Sequence, residues 1–256
     1  MFTDAAWAEW EPLIEATRPQ GKTPPKELRR TISAIFWRHR NGAKWRSIPA
    51  ELGPWWRAAQ LFLRWAQQGV WERLLDLVQR RGVALGMTFL DGTTIRAHHK
   101  AAGAEKRGPT ARGRDEREAL GRSRGGYGTK ACVIADGRGR AIAFALAPGQ
   151  AHELPLAPGL LGGLPDVPGW VVGDRGLASD ALRKRIWDMG ARPAIPPKRT
   201  DAPVACPKWI YVNRRLVENL WARPKEWRAV ATRYEKTARS FLGVLCLAAT
   251  ADWLKL

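Results

Sequence analysis

The segment Met87-Thr-Phe-Leu-Asp91-Gly92 decides the fold, because a short, largely apolar run ends here on a carboxylate followed by glycine. Such a run bounded by a turn residue is typical of a buried strand. Trp170-Val-Val-Gly-Asp174 repeats the pattern later in the chain. We therefore predict two buried strands, each of which ends on an aspartate at one edge of a sheet.

Further elements are predicted around these strands. An Asp136-Gly turn separates the apolar runs 130–135 and 141–146, which predicts an antiparallel hairpin. Periodicity and capping residues predict the rest: a short helix over 153–161, a helix over 180–189 capped by Ser179, a strand over 191–196, and helices over 208–223 and 240–254. The expected fold class for this part of the chain is α/β, with flanking helices.

The first 82 residues have helical periodicity instead. We predict a helix capped by Thr3 and ended by Pro19, and further helices over 24–40, 55–67 and 70–81, with a short helical turn near Pro49. This order is compatible with a helix-turn-helix, in which Arg57, Gln60 and Arg64 face outward as the DNA-reading residues. A plain helical bundle that serves packing or dimerisation fits the pattern equally well. The change of period gives two domains, 1–84 and 85–256.

The charge of the chain indicates its partner. The 256 residues carry a formal net charge of +19, which a fold does not need and which opposes compaction. A polyanion, DNA, is the expected partner. No apolar run approaches a membrane span, and the first residues lack a secretory signal, so we expect no membrane and a cytoplasmic, nucleoid-associated protein. Three distant cysteines without a Cys-x-x-Cys pair predict free thiols.

Residues 99–127 are rich in glycine, lysine and arginine and have almost no apolar periodicity. This composition predicts a basic loop. We assign Arg122, Arg124 and the neighbouring Lys130 to DNA phosphates. The alternative is a solvated insertion without a partner. Gly121–Lys130 is not a P-loop, because it lacks the Gly-Lys-Ser/Thr ending.

The segment Tyr211-Val-Asn-Arg-Arg-Leu-Val-Glu218-Asn-Leu-Trp-Ala-Arg-Pro-Lys225 predicts a helix. Its spacing puts Tyr211, Arg214 and Glu218 on one face. One carboxylate among several cations suits a metal-binding group beside phosphates. An ordinary basic surface helix is the alternative.

Asp91, Asp174 and Glu218 thus stand out as candidate metal ligands. Carboxylates at the ends of neighbouring strands converge at one edge of a sheet, and a covering helix supplies the third. Three hard oxygen ligands suit Mg²⁺ or Mn²⁺, and two such ions serve phosphodiester cleavage. Taken singly, each strand-end aspartate is also an ordinary turn former.

The chain resembles bacterial insertion-sequence transposases of the DDE type, of the family-five and related family-four elements. The resemblance rests on these segments: Asn41-Gly-Ala-Lys-Trp-Arg-Ser-Ile-Pro, Asp91-Gly-Thr-Thr-Ile-Arg-Ala-His, Gly121-Arg-Ser-Arg-Gly-Gly, Pro148-Gly-Gln-Ala-His, Asp174-Arg-Gly, and the Tyr211, Arg214, Glu218, Lys225 signature. It implies an RNase H-like catalytic domain with Asp91, Asp174 and Glu218 as both the catalytic and the metal-binding triad. It also implies DNA contacts by Tyr211, Arg214, Lys225, Arg96 and Arg175.

The implied reaction is hydrolysis at the element ends, followed by attack of the freed 3′-hydroxyl on target DNA. A homodimer or higher oligomer is expected to hold two ends in a synaptic complex, and no organic cofactor is needed. Leu177-Ala178 and Pro224 depart from the family pattern. Because a proline inside a helix lacks the amide donor and clashes with the preceding turn, we predict that the helix of Glu218 kinks or ends near Trp221–Arg223 and that Pro224 opens a new segment. An active enzyme is still expected. The alternatives are an inactive relic or regulator that only binds DNA, and a stand-alone metal-dependent nuclease.

Overall fold

The computed structural model describes residues 2–21, 26–102, 113 and 116–255. The N-terminal region contains the helices α1 (Asp4–Thr17), α2 (Leu28–Asn41), α3 (Trp55–Gln67) and α4 (Val70–Gln79). The hydroxyl of Thr3 caps α1 by accepting a bond from the amide of Ala6 at 3.2 Å, as predicted. Two 3-10 turns, Trp45–Ser47 and Ala50–Leu52, lie between α2 and α3. Pro24, where the second helix was predicted to begin, lies outside the described residues.

A mixed sheet follows, and seven strands of it fall within the described residues. They are β1 (Met87–Ala97), β2 (Gly121–Ser123), β3 (Gly126–Ala135), β4 (Ala141–Pro148), β5 (Trp170–Gly173), β6 (Arg192–Ala194) and β7 (Thr232–Arg233). β3 runs antiparallel to β1, β2 and β4, whereas β5 and β7 run parallel to β1, and β6 runs parallel to β5. The antiparallel strands β1–β4 followed by the parallel strands β5–β7 confirm the expected RNase H-like mixed α/β class.

The prediction that the first strand ends at Asp91 is wrong. β1 continues to Ala97 because β3 pairs with it as far as Arg96, opposite Gly128. On the other side of β1 the pairing with β5 stops at Leu90, opposite Gly173. From Asp91 onward that edge of β1 is free of β5, so the edge opens beside the carboxylate even though the strand does not end there.

Helices cover both faces of the sheet. They are α5 (His99–Ala102), α6 (Ala157–Gly162), α7 (Asp180–Asp188), α8 (Lys208–Tyr211), α9 (Arg215–Lys225), α10 (Arg228–Ala231) and α11 (Ala238–Trp253). Further 3-10 turns are Leu154–Leu156, Arg175–Leu177 and Val212–Arg214. The predicted helix over 208–223 is therefore three consecutive segments.

Pro224 lies inside the last turn of α9. We predicted that this helix would kink or end near Trp221–Arg223, with Pro224 opening a new segment. The helix instead runs to Lys225, and the next one begins at Arg228. A proline at this position has no amide donor for the Leu220 carbonyl, so it removes one helical hydrogen bond, and α9 ends one residue later.

Two hydrophobic cores lie on opposite faces of the sheet, because successive side chains of a strand alternate between faces. Phe89 and Val172 face the larger core, which contains α9, α11 and the N-terminal helices. Leu90 and Val171 face the smaller core, which contains α6 and α7. Since α11 packs on α3 and α4 as well as on β4, the N-terminal helices and the sheet share one core.

A buried ion pair also joins the two parts of the chain. Arg38 on α2 contacts the carboxylate of Glu235, which follows β7, and their side chains are only 7% and 5% exposed. The Arg38 Nε donates to the carbonyl of Ala43 at 3.0 Å, and the guanidinium lies over the ring of Trp45. His39 is buried beside this pair. Burial and the charge of Arg38 hold the pKa of the His39 imidazole well below its ordinary value.

The predicted basic loop is in part regular structure. Residues 103–112, 114 and 115 lie outside the described residues, but Gly121–Ser123 pairs with Gly126–Gly128 as a hairpin. The loop prediction is therefore wrong for His99–Ala102, which form α5, and for residues 121–127, which belong to the hairpin. The glycines permit close backbone packing there: a Cβ at Gly128 would lie 2.4 Å from the carbonyl oxygen of Ile95. In the described part of the chain, no helix has the length and apolar character needed to cross a membrane.

Candidate active site

Two of the three predicted acids come from adjacent strands. Leu90 of β1 pairs with Gly173, the last residue of β5. Asp91 is the next residue of β1, and Asp174 directly follows β5. Both alternate onto the same face as Phe89 and Val172, the face that α9 covers. Asp174 opens a 3-10 turn, and its Oδ1 atom is buried without a hydrogen-bond partner in the described structure. The sheet thus brings two carboxylates together beneath one helix.

The helical segment above them makes direct contacts with Asp91. The indole Nε1 of Trp221 donates to Asp91 Oδ2 at 3.0 Å. The guanidinium of Arg214 donates from Nη2 to Asp91 Oδ1 at 3.2 Å and from Nη1 to Glu218 Oε1 at 2.5 Å. Tyr211 and Lys225 lie at the two ends of this segment, and Lys225 Nζ donates to the hydroxyl of Thr93 at 2.8 Å.

Glu218 therefore reaches Asp91 through Arg214 and not directly. Its side chain is 57% exposed on the same helix face as Arg214. Within the described residues, no three His, Cys, Asp or Glu side chains lie close enough together to hold a metal ion. The structure thus brings Asp91 and Asp174 together and leaves Glu218 on the rim of the same site.

The donor set nonetheless fits a hard divalent ion. All three groups are carboxylates, which Mg²⁺ and Mn²⁺ prefer. The unpartnered Asp174 Oδ1 is a buried oxygen in need of a donor or a cation, since a buried polar atom without a partner is costly. The guanidinium of Arg214 already supplies a positive charge between the other two acids.

Burial shapes the electrostatics of the site. It raises the pKa of the Asp91 carboxyl above its ordinary value; Arg214 opposes this shift, while Glu153 and Asp174 add to it. Burial lowers the pKa of Arg214, but the charges of Asp91 and Glu218 outweigh this effect, so its pKa is raised. Burial also lowers the pKa of the Lys225 ammonium group, although Asp91 opposes the change. Burial thus opposes ionisation of Asp91.

Glu153 is a fourth acid that the sequence reasoning missed. It lies on the other face of the sheet, directly against Gly92, where an added Cβ would come within 2.4 Å of the Glu153 carboxyl carbon. Lys130, predicted as a DNA contact, holds Glu153 at 3.0 Å. The only local signal is its place directly after the Pro148-Gly-Gln-Ala-His segment.

Most other predicted DNA contacts lie at the surface. Arg96 is exposed on β1, and Arg175 is exposed directly after Asp174 in the sequence. Arg122 and Arg124 are exposed on the β2–β3 hairpin. Arg57 and Arg64 lie instead on α3, where they line a groove of about 450 Å³ with Arg18, Lys26 and Gln60. Arg57 also pairs with Glu27 at 3.0 Å. The predicted cations therefore form separate sets, one around the carboxylates and one on the N-terminal helices.

The histidines stay outside the carboxylate cluster. His98 stacks between His99 and Tyr234, with ring centroids 3.9 and 4.9 Å away. His152 is exposed.

Of the two departures from the family pattern, Leu177 is buried in the smaller core, where its Cδ1 would lie 2.9 Å from a Cβ on Gly173. This leucine fills space next to Asp174 and contributes no polar group.

Family models match both ends of the chain. Residues 2–75 match "Putative transposase of IS4/5 family (DUF4096)", and residues 171–255, which include Asp174 and Glu218, match "Transposase DDE domain". The chain belongs to the DDE transposases of the IS4/5 type. This transposase is also 33% identical over 88 residues to the uncharacterized protein y4sN of Sinorhizobium fredii, an alignment that covers 34% of the chain and 70% of the relative.

Another relative comes from an insertion element. The uncharacterized 16.2 kDa protein of insertion element IS402 from Burkholderia cepacia is 27% identical over 111 residues, which cover 38% of the transposase and 74% of the relative. Among solved structures, a piggyBac transposase synaptic complex with hairpin DNA aligns with 97% of the chain and 70% of its own, at 12% identity and a TM-score of 0.47. A Mos1 transposase paired-end complex covers 100% and 87%, at 14% identity and a TM-score of 0.27.

Proposed function

We propose that this transposase binds the terminal inverted repeats of its insertion sequence, cleaves the DNA there with a divalent metal, and joins the freed 3′-hydroxyl ends to target DNA. The observation that carries the proposal is the juxtaposition of Asp91 and Asp174 on adjacent strands beneath the helix of Glu218. The net charge of +19 supports a polyanionic substrate.

In this proposal Asp91, Asp174 and Glu218 would hold the metal, as two Mg²⁺ or Mn²⁺ ions. The ions would supply Lewis-acid stabilisation of the attacking and leaving oxygens. Trp221 orients Asp91 through its indole N–H, a bond that fixes one carboxylate oxygen. We propose that Arg214, Tyr211 and Lys225 contact phosphates of the bound strand. Four exposed arginines would extend this positive surface: Arg96, Arg175, Arg122 and Arg124.

The N-terminal helices have a second task in the proposal. Residues 1–84 are proposed to recognise the element ends, and residues 85–256 to carry out the chemistry. The exposed groove of α3, with Arg57, Gln60 and Arg64, supports this division, because a basic outward helix face suits the DNA major groove. A homodimer or higher oligomer is proposed to hold two ends together at the nucleoid.

A strand-transfer assay tests the function. The full chain is incubated with Mg²⁺, with supercoiled target DNA and with duplexes that carry the inverted repeats flanking its gene. Joined product is the expected result. Nicks without joining would indicate a metal-dependent nuclease, and a mobility shift without cleavage would indicate a protein that only binds DNA.

A further inference from the structure

The guanidinium of Arg214 occupies a central position among the acids. It donates to Asp91 Oδ1 at 3.2 Å and to Glu218 Oε1 at 2.5 Å. The second oxygen of Asp91 accepts the indole N–H of Trp221 at 3.0 Å. Both oxygens of Asp91 therefore already have a donor, and one of these donors is a full positive charge.

A guanidinium and a divalent ion compete for the same carboxylate oxygens. Both are cations, and both need lone pairs that a carboxylate offers only in limited number. A divalent ion on the same carboxylate would repel the guanidinium, because two cations would then lie close together in a partly buried site. The charge of Arg214 in its present position therefore opposes an ion that Asp91 and Glu218 share.

Part of the Arg214 guanidinium has no hydrogen-bond partner among the described residues. Its Nε atom is buried without an acceptor in the described structure. In the described structure the guanidinium forms its salt bridges with the two acids, Asp91 and Glu218. A cation bound by these acids would repel the guanidinium. A phosphate oxygen near the same helix face would provide the acceptors that the guanidinium then needs.

We propose that Arg214 is an internal counter-cation and positioning residue, which holds Asp91 and Glu218 together without metal and competes with an ion for Asp91. This inference rests on the proposed function of the three acids. The released guanidinium is available to a DNA phosphate. Metal binding and DNA binding therefore favour each other, since a bound ion repels Arg214 from the acids and a DNA phosphate attracts it.

Calorimetric titration of the DNA-free full chain with Mn²⁺ tests the proposal. Arg214→Ala and Arg214→Gln are expected to bind Mn²⁺ more tightly than wild type, on the order of tenfold, because a competing charge-assisted contact is gone. Arg215→Ala is the matched control, because this exposed neighbour carries the same charge without touching the acids. It is expected to stay within about threefold of wild type, which accounts for the general loss of positive charge.

The direction of the change in Mn²⁺ affinity shows whether Arg214 competes with the ion or only maintains the shape of the site. If Arg214 only maintained the shape of the site, its removal would weaken Mn²⁺ binding. Unchanged or weaker binding by both Arg214 variants, with wild-type thermal unfolding, would overturn the proposal. Asp91→Asn must abolish the binding for the site to be the one proposed. Absence of Mn²⁺ binding in wild type and in every variant would overturn the proposed function as well.

Discussion

The buried pair between Arg38 and Glu235 makes a quantitative prediction about the whole molecule. Glu235→Ala removes the partner of a guanidinium that is 7% exposed and leaves its charge uncompensated. Breaking a buried pair in this way costs about 3–5 kcal/mol, a large part of the 5–15 kcal/mol that stabilises a typical native protein. For a chain of this size the melting temperature should fall by about 6–20 °C.

Thermal unfolding followed by circular dichroism measures the effect. Lys184→Ala is the control, because the Lys184–Asp188 pair is 76% and 60% exposed and is worth at most about 1 kcal/mol. Replacing both buried partners, as Arg38→Met with Glu235→Leu, should recover most of the loss, since well-packed apolar groups substitute for a buried pair. A melting temperature for Glu235→Ala that matches Lys184→Ala would refute the reasoning.

Three further predictions concern the site and its partner. Burial raises the pKa of Asp91, so the folded chain binds a proton at this carboxyl more tightly than the unfolded chain does. The stability that this proton contributes is fully present below the unfolded pKa and is lost as pH rises through the folded pKa. Metal-free Asp91→Asn should therefore melt above wild type at pH 7, with a gain that shrinks toward pH 4, and equal melting at both pH values would contradict this. Lys225→Ala should lower the salt slope of DNA binding by about one unit or less and spare cleavage, as measured by filter binding between low and moderate salt. Arg64→Ala should reduce the preference for element ends over random duplex, whereas Arg122→Ala should weaken binding to both equally; equal losses in both variants would argue against end recognition by α3.

Local pattern was sufficient for much of the fold. The apolar runs before Asp91 and Asp174 predicted adjacent strands, and α3 has the predicted bounds because its apolar face and flanking residues are local signals. The extension of β1 beyond Asp91 could not be predicted, because it depends on pairing with β3 across a long stretch of chain.

The same limit applies to the site. Glu153 reaches Gly92 from a different element, and neither residue signals the other in the sequence. Arginine and glutamate are usually surface residues, and the sequence around Arg38 and Glu235 does not indicate otherwise. The fold nevertheless buries them against each other. The spacing of Arg214 and Glu218 did predict a shared helix face, but not that the guanidinium would extend to Asp91.

The most direct test of the account is metal-dependent cleavage by a variant of a single acid. Wild type and Asp174→Asn are compared in Mg²⁺ on duplexes that carry the element end, with binding measured on the same DNA. Asp188→Asn serves as the control, because this exposed carboxylate lies on α7, which packs against the other face of the sheet. The account predicts that Asp174→Asn binds the end like wild type and releases no 3′-hydroxyl, while Asp188→Asn cleaves normally. Cleavage by Asp174→Asn at the wild-type rate would contradict it.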